Sequence, residues 1–152
     1  MKTYILQKVR KEDAEEIIIE DGVTEIQDSE FSGCHKLQKI IIPNSVTSIE
    51  SYAFDVCSSL TSINIPDSVT SIGYSAFKEC SSLTSINIPN SVISIEGDAF
   101  AYCYSLASIN IPNSVTMLGN SVFYDCNNLI VHTKNKYVID YCKANNIKVV
   151  EE

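Results

Sequence analysis

Residues 60–82 read LTSINIPDSVTSIGYSAFKECSS, and residues 83–105 repeat them as LTSINIPNSVISIEGDAFAYCYS with no insertion or deletion. The same 23-residue step continues in both directions. It separates the prolines Pro43, Pro66, Pro89 and Pro112, the phenylalanines Phe31, Phe54, Phe77, Phe100 and Phe123, and the leucines Leu37, Leu60, Leu83, Leu106 and Leu129. A fixed period of this length is the signature of a stacked-repeat protein. The sequence therefore predicts a solenoid of five units, which begin near Ile17, Ile40, Ile63, Ile86 and Ile109.

Each unit is predicted to contain two extended segments and one compact segment. Ile63 and Ile65 alternate with polar residues, and Pro66 cannot continue a hydrogen-bonded ladder, so a short strand is expected to end there. A second extended segment follows at residues 69–72. In residues 75–83 the apolar side chains recur at steps of three and four, which predicts one or two helical turns. One unit cannot bury these side chains alone, so we expect equivalent residues to stack and the strands to form a parallel sheet.

The chain is predicted to be a single domain, residues 1–152, with its repeats closed by caps. An open solenoid end would expose apolar surface and unpaired strand edge, so both ends need a cover. We expect an N-terminal cap at residues 1–16, five repeats at residues 17–131 and a C-terminal cap at residues 132–152.

The two caps have predicted elements of their own. A strand is expected at residues 3–6, a helix at residues 136–145 and a final strand at residues 147–150. The helix would place Tyr137, Val138, Tyr141 and Cys142 on one face. His132 falls at the position of the first strand isoleucine, where we expect a partly exposed residue.

The pattern Leu-x-x-Ile-x-Ile-Pro, followed by Ser-Val-Thr-Ser-Ile and Ala-Phe-x-x-Cys-x-x-Leu, resembles the BspA-like, or Treponema-type, leucine-rich repeats. The resemblance covers residues 17–131, and the tail is similar to the helix and strand that close such arrays. It implies an α/β repeat fold, a right-handed leucine-rich-repeat solenoid with a parallel sheet. It also implies a surface-associated or secreted interaction protein, often an adhesin that binds host proteins or other cells.

Composition and charge argue against two classes of partner. Lys and Arg number 11 against 19 Asp and Glu, and a formal charge of -8 repels a phosphate backbone, so we expect no nucleic-acid partner. The apolar run Ile40–Ile42 is far too short to cross a bilayer, so we expect no membrane insertion. Residues 1–11 lack the apolar segment of a secretory signal, which predicts a cytoplasmic protein or else a mature form or fragment.

Cysteine recurs at one position of every unit. Five of the six cysteines are Cys34, Cys57, Cys80, Cys103 and Cys126, each between the phenylalanine and the leucine of its repeat. Parallel side chains in such a column would have to turn toward one another to form a disulfide, so we expect free thiols that pack as small apolar groups. Disulfides are the alternative. A zinc site needs four converging ligands, and without a Cys-x-x-Cys motif we expect no metal or cofactor.

Neither the serines nor the acidic residues match a catalytic pattern. No Gly-x-Ser-x-Gly sequence or phosphate-binding glycine loop is present, so we expect no enzymatic activity. Nine acidic residues from Glu12 to Glu30 are not interrupted by any Lys or Arg. We interpret them as a solvated cap that keeps the open end soluble. Calcium binding and docking of a basic partner are the alternatives.

Two surfaces are candidates for binding a partner. On the sheet, the outward polar columns contain Ser62, Asn64, Ser85, Asn87, Ser108 and Asn110. These groups either contact a partner or hydrogen-bond to one another as a structural ladder. On the side of the compact segments, Tyr102, Tyr104 and Tyr124 fall on two neighbouring units, with Tyr52 and Tyr74 on earlier ones. Tyrosines suit an interface, and the alternative is that they lie flat on the convex surface.

These features predict a protein-protein interaction or adhesion module without chemistry of its own. Its partner is expected to be a protein, whose identity the sequence leaves open. The alternative is a structural unit whose copies associate through the caps or through the tyrosine-bearing side, which would make the protein a homo-oligomer.

Overall fold

The computed structural model of the chain describes residues 3–5 and 11–152. Residues 1–2 and 6–10 of the predicted N-terminal cap, including Leu6 of the predicted first strand, lie outside the described residues. The strands are β1 (Thr3–Ile5), β2 (Glu16–Ile19), β3 (Glu25–Ile26), β4 (Lys39–Ile41), β5 (Ser48–Ile49), β6 (Ser62–Asn64), β7 (Ser71–Ile72), β8 (Ser85–Asn87), β9 (Ser94–Ile95), β10 (Ser108–Asn110), β11 (Met117–Leu118), β12 (Ile130–Thr133) and β13 (Lys148–Glu151). A helix, α1, spans Lys136–Ala144, and a 3₁₀ turn spans Lys11–Asp13.

The repeat strands form parallel sheets in register at the 23-residue step. One five-stranded sheet, which we call the front sheet, has the order β13-β12-β10-β8-β6, and a second, the side sheet, has the order β11-β9-β7-β5-β3. Ile63, Ile86 and Ile109 lie directly opposite one another in the front sheet. β2 and β4 pair in parallel beside it, and β1 adds antiparallel to β2. The predicted solenoid of stacked parallel strands is confirmed.

The core is a continuous column of apolar side chains. Phe31, Phe54, Phe77 and Phe100 are fully buried. Each stacks on the next at ring-centroid distances of 5.2 to 5.4 Å, and the last member, Phe123, lies 5.8 Å from Phe100. Burying one phenylalanine contributes about 1.5–3 kcal/mol. Equivalent residues therefore stack directly over one another, as the fixed period predicts.

The compact segments are not helical, and the prediction of helical turns at residues 75–83 is wrong. They are consecutive turns in which two residues per unit have a left-handed backbone, as in Ser75 (φ 54) and Glu79 (φ 57). A left-handed residue other than glycine costs roughly 1–2 kcal/mol. The conformation is retained because it aims alternate N–H groups at the next unit, and the hydrogen bonds formed there offset the cost. We call these segments, residues 28–35, 51–58, 74–81, 97–104 and 120–127, the turn face.

At the C-terminal cap, β12 departs from the 23-residue register by one residue. Val131 lies opposite Ile109, and His132 lies opposite Asn110. The prediction that His132 occupies the isoleucine position is therefore wrong. Because side chains alternate across a strand, a shift of one residue exchanges the two faces. Val131 is fully buried, whereas His132 lies on the outer face, where it is half-buried.

Helix α1 covers the last unit through side-chain hydrogen bonds. Val138, Ile139 and Cys142 are its buried residues. The Tyr137 hydroxyl accepts from the Leu118 N–H at 2.9 Å. The Tyr141 hydroxyl accepts from the Val122 N–H at 3.2 Å and donates to the Gly119 carbonyl at 2.9 Å. In an inner unit the equivalent groups bond directly to each other, as the Ala76 N–H does to the Gly73 carbonyl, so the Tyr141 hydroxyl bridges a turn of the last unit.

Candidate interaction surfaces

The polar columns of the front sheet are exposed along its length. Ser62, Asn64, Ser85, Asn87, Ser108 and Asn110 all face solvent. The serines lie opposite serines and the asparagines opposite asparagines. Within residues 11–152 these six side chains make no hydrogen bond to one another, whereas the neighbouring Thr84 hydroxyl donates to the Thr61 carbonyl at 3.3 Å. In this part of the chain the exposed amides therefore do not form a hydrogen-bonded ladder with one another.

The asparagine column changes its chemistry at both ends. Toward the N-terminus the equivalent residues are Ile18 and Ile41, which are 42% and 43% exposed. Toward the C-terminus the equivalent residue is His132, whose Nδ1 contacts a Glu152 carboxylate oxygen. Sequence reasoning missed the two isoleucines. Alternation within the run Ile40–Ile42 was the available signal, because the middle residue must face opposite to its neighbours.

A shallow cavity of about 340 Å³ lies at one end of this column. It brings together Asn87, Asn110 and His132 with Glu152, and Asn64 lies outside it. The predicted sheet residues therefore do not form one pocket. They form a flat polar strip with a recess at the C-terminal cap.

Tyr102, Tyr104 and Tyr124 come together on the turn face. The ring of Tyr102 makes edge-to-face contacts with Tyr104 at 6.1 Å and with Tyr124 at 5.4 Å between centroids. The ammonium of Lys78 lies 5.9 Å from the Tyr102 ring centroid. Tyr104 and Tyr124 are 51% and 56% exposed. We call these three residues the tyrosine cluster.

Tyr52 and Tyr74 form a separate pair on earlier units. Their rings meet edge to face at 5.5 Å, and both side chains are exposed. The Tyr74 hydroxyl donates to a carboxylate oxygen of Asp98 at 2.8 Å, and this hydrogen bond raises the pKa of Tyr74. The pair offers a surface of similar chemistry that is distinct from the tyrosine cluster.

The cysteine column packs inside the molecule. All six cysteines are free thiols, and five of them are buried, the exception being Cys126. The Cys57 thiol donates to the Phe31 carbonyl of the preceding unit at 3.2 Å, and the later cysteines of the column repeat this bond. Burial raises the pKa of Cys57 to about 12. These thiols are packing groups and weak donors.

Two carboxylates of the acidic N-terminal region form ion pairs with lysines of the next unit. Lys36 pairs with Asp13 at 2.8 Å and Lys39 with Glu16 at 3.2 Å. The Lys11 ammonium donates to the Glu30 carbonyl and lies 5.7 Å from the Phe31 ring centroid. In the described part of the chain no three His, Cys, Asp or Glu side chains are grouped to hold a metal ion.

Among residues 3–5 and 11–152, no helix has both the length and the apolar character needed to cross a membrane. Residues 9–130 match a family model described as a BspA type leucine rich repeat region, in six copies. No curated protein gives a significant match to the chain.

Solved structures with a similar fold include the following three. The T. pallidum leucine rich repeat protein is 33% identical, with a TM-score of 0.73 over 86% of this chain and 67% of its own. A leucine-rich repeat protein from Bacteroides ovatus is 30% identical, with a TM-score of 0.66 over 90% of this chain and 42% of its own. A leucine rich cell surface protein from Faecalibacterium prausnitzii is 33% identical, with a TM-score of 0.55 over 79% of this chain and 41% of its own. The chain thus spans less than half the length of the last two.

Proposed function

Because the chain belongs to the BspA-type leucine-rich repeat family, whose scaffolds are commonly protein-interaction modules, we propose that it is a non-enzymatic module that binds a protein partner. Adhesion at a cell surface is the finer form of this proposal. It is supported by the similarity to the Faecalibacterium prausnitzii cell surface protein.

The tyrosine cluster is the observation that carries the proposal. Tyr104 and Tyr124 expose half of their surface next to Tyr102, so three large rings with polar tips form one patch. Tyrosine offers a large contact area at a low cost in side-chain entropy, and binding hot spots are enriched in it. The ring contacts among the three residues hold them in place before a partner arrives, which lowers the entropy lost on binding.

The experiment compares two matched pairs of tyrosines. The chain is immobilised, and proteins are captured from a lysate of the source cell and from host matrix. Tyr104→Ala with Tyr124→Ala removes the exposed members of the tyrosine cluster. Tyr52→Ala with Tyr74→Ala removes an equal number of exposed tyrosines elsewhere on the turn face, and serves as the control.

We expect at least one captured protein to be lost with the first double variant and retained with the second. Circular dichroism checks that both variants keep the wild-type fold. Retention of every captured protein by the cluster variant would contradict the proposal.

The front-sheet columns are proposed as a second contact surface for the same partner. Their amides and hydroxyls are donors and acceptors without an aromatic anchor, so their contribution is expected to be specificity more than affinity. Asn87→Ala with Asn110→Ala should weaken binding less than loss of the tyrosine cluster. Ser62, Asn64, Ser85 and Ser108 complete this proposed surface.

Self-association is the competing function. Light scattering at several concentrations separates it from partner binding, because a pure binding module keeps the mass of one chain, 16.8 kDa. A mass that rises with concentration and falls again in the tyrosine-cluster variant would favour the structural unit.

A further inference from the structure

The hydrogen-bond ladder of the turn face is directional. In every pair of successive units, N–H groups of the earlier unit donate to carbonyls of the later one. The last such bonds run at 2.8 to 3.0 Å from Asp98, Phe100 and Tyr102 to Asn120, Val122 and Tyr124. The ladder therefore ends in carbonyl oxygens toward the N-terminus and in N–H groups toward the C-terminus.

Three backbone N–H groups at the C-terminal end of this ladder have no hydrogen-bond acceptor within the described residues. Within residues 11–152 the N–H groups of Ser121, Phe123 and Asp125 form no hydrogen bond. The N–H of Val122, which lies between them, is taken by the Tyr141 hydroxyl. Helix α1 thus accepts a hydrogen bond from the Val122 N–H. The three N–H groups at alternate positions around it have no acceptor within the described residues. Water must solvate these donors when nothing else does.

A cavity of about 550 Å³, which we call the end cavity, lies against these same residues. Asn145, Asn146, Ile147 and Lys148 form its other wall. Pockets for small ligands span roughly 300–1,000 Å³. The apolar column also ends here, since Phe123 and Leu129 are each 5% exposed while Phe100 and Leu106 are fully buried. The end cavity thus combines unpaired backbone donors with the nearly covered end of the apolar column.

We propose that the end cavity binds a peptide segment of a partner protein, whose alternate backbone carbonyls accept from Ser121, Phe123 and Asp125 and continue the ladder. Addition of a chain to an open backbone edge derives affinity from main-chain hydrogen bonds and specificity from side-chain pockets. A small apolar side chain of the segment would complete the cover over Phe123 and Leu129, which are each 5% exposed. A neutral carbonyl suits the site better than an anion, because the carboxylate of Asp125 lines the same cavity.

A second copy of this chain is a poor occupant. Head-to-tail stacking would require the carbonyls at the N-terminal end of the ladder, which include that of Glu30. Lys11 already donates to that carbonyl. The partner is therefore a different polypeptide. The inference goes beyond the proposed function, because it uses backbone donors at the end of the array and does not depend on the exposed tyrosines being an interface.

The probe is a synthetic peptide that copies residues 74–83, YSAFKECSSL, with blocked termini and under reducing conditions. Inside the chain this segment accepts from Tyr52, Phe54 and Val56 at 2.7 to 2.8 Å, so it presents carbonyls at the required spacing. The peptide is titrated into the nitrogen-15-labelled full chain, and amide resonances are followed by NMR. The reversed sequence LSSCEKFASY is the control peptide.

We expect saturable downfield shifts of the Ser121, Phe123 and Asp125 amide protons with the peptide and none with its reverse. Asn128→Trp places a bulky ring at the wall of the end cavity and should weaken binding at least tenfold. Ser105→Trp makes the same kind of change at the equivalent exposed position one unit earlier and should leave binding unchanged. Tyr104→Ala should also bind the peptide normally, so failure of the tyrosine-cluster proposal is distinguishable from failure here.

Three results would overturn the inference. One is the absence of shifts at these three amides with millimolar peptide. Another is equal binding of the reversed peptide, which would mean that binding does not depend on how the peptide positions its carbonyl groups along the three donors. The third is the same set of shifts with acetate alone, which would make the cavity an anion site.

Discussion

An inner unit and the last unit carry the same residue types and differ in what covers them. Phe77 is fully buried between Phe54 at 5.2 Å and Phe100 at 5.4 Å, with its ring within 6° of both. Phe123 stacks on Phe100 alone, at 5.8 Å, and is 5% exposed. In a solenoid each unit contacts only its neighbours. The energetic weight of a repeat residue therefore depends on whether it has a unit on each side.

Removing the two rings tests this difference most strongly. Phe77→Ala is expected to lower the free energy of unfolding by about 3–5 kcal/mol, because it leaves a closed void in the column. Phe123→Ala should cost less, about 2–3 kcal/mol, since the void it leaves opens into the end cavity and can fill with water. Urea denaturation followed by circular dichroism measures both. Equal losses at the two positions would mean that the last unit is covered as completely as an inner one.

The contrast between inner and terminal units also separates what the sequence predicts from what it does not. Inward positions such as Phe77 and Ile63 follow from the period alone, because a fixed step forces equivalent residues to stack. The turn face does not follow. Ser75 and Glu79 take a left-handed backbone although neither is glycine, and only the hydrogen bonds of the neighbouring unit justify it. Apolar residues at steps of three and four in residues 75–83 are therefore typical of a helix, although the backbone there forms turns that hydrogen-bond to the neighbouring unit.

The surfaces at the C-terminal end are harder still to predict, because the 23-residue repeat no longer holds there. At Val131 the step shortens by one residue, and no composition cue marks the change. The tyrosine cluster was identifiable from sequence, since Tyr102, Tyr104 and Tyr124 lie close in neighbouring units. The three unpaired N–H groups were not identifiable, because backbone donors have no residue-type signature and their ladder appears only in three dimensions.

The cap hydroxyls provide the next test, because they join helix α1 to the last unit. Tyr141→Phe removes the hydroxyl that pairs the Val122 N–H and the Gly119 carbonyl while keeping the ring. Two partly buried backbone groups lose their partner, so the free energy of unfolding should fall by about 1–3 kcal/mol. Tyr124→Phe makes the same change on an exposed ring of the same unit and should cost less than about 0.5 kcal/mol. Similar effects for the two variants would show that α1 covers the last unit through apolar contacts alone.

Thiol reactivity gives the finest comparison, because Cys126 and Cys142 share a pKa but differ in exposure. Burial raises the pKa of both to about 11, and Cys142 is fully buried whereas Cys126 is partly exposed at the end cavity. Only the thiolate reacts with a disulfide reagent.

A raised pKa lowers the fraction of thiolate at a given pH, so labelling of Cys126 should be slow at pH 8. Its rate should rise about tenfold per pH unit through pH 10 without the plateau near pH 9 of an ordinary thiol. Cys142 should stay unlabelled in the folded chain, as read by mass spectrometry of peptides. A plateau near pH 9 would mean that burial does not raise the pKa of Cys126. Equal labelling rates for the two thiols would mean that helix α1 does not cover Cys142 more completely than the last unit covers Cys126.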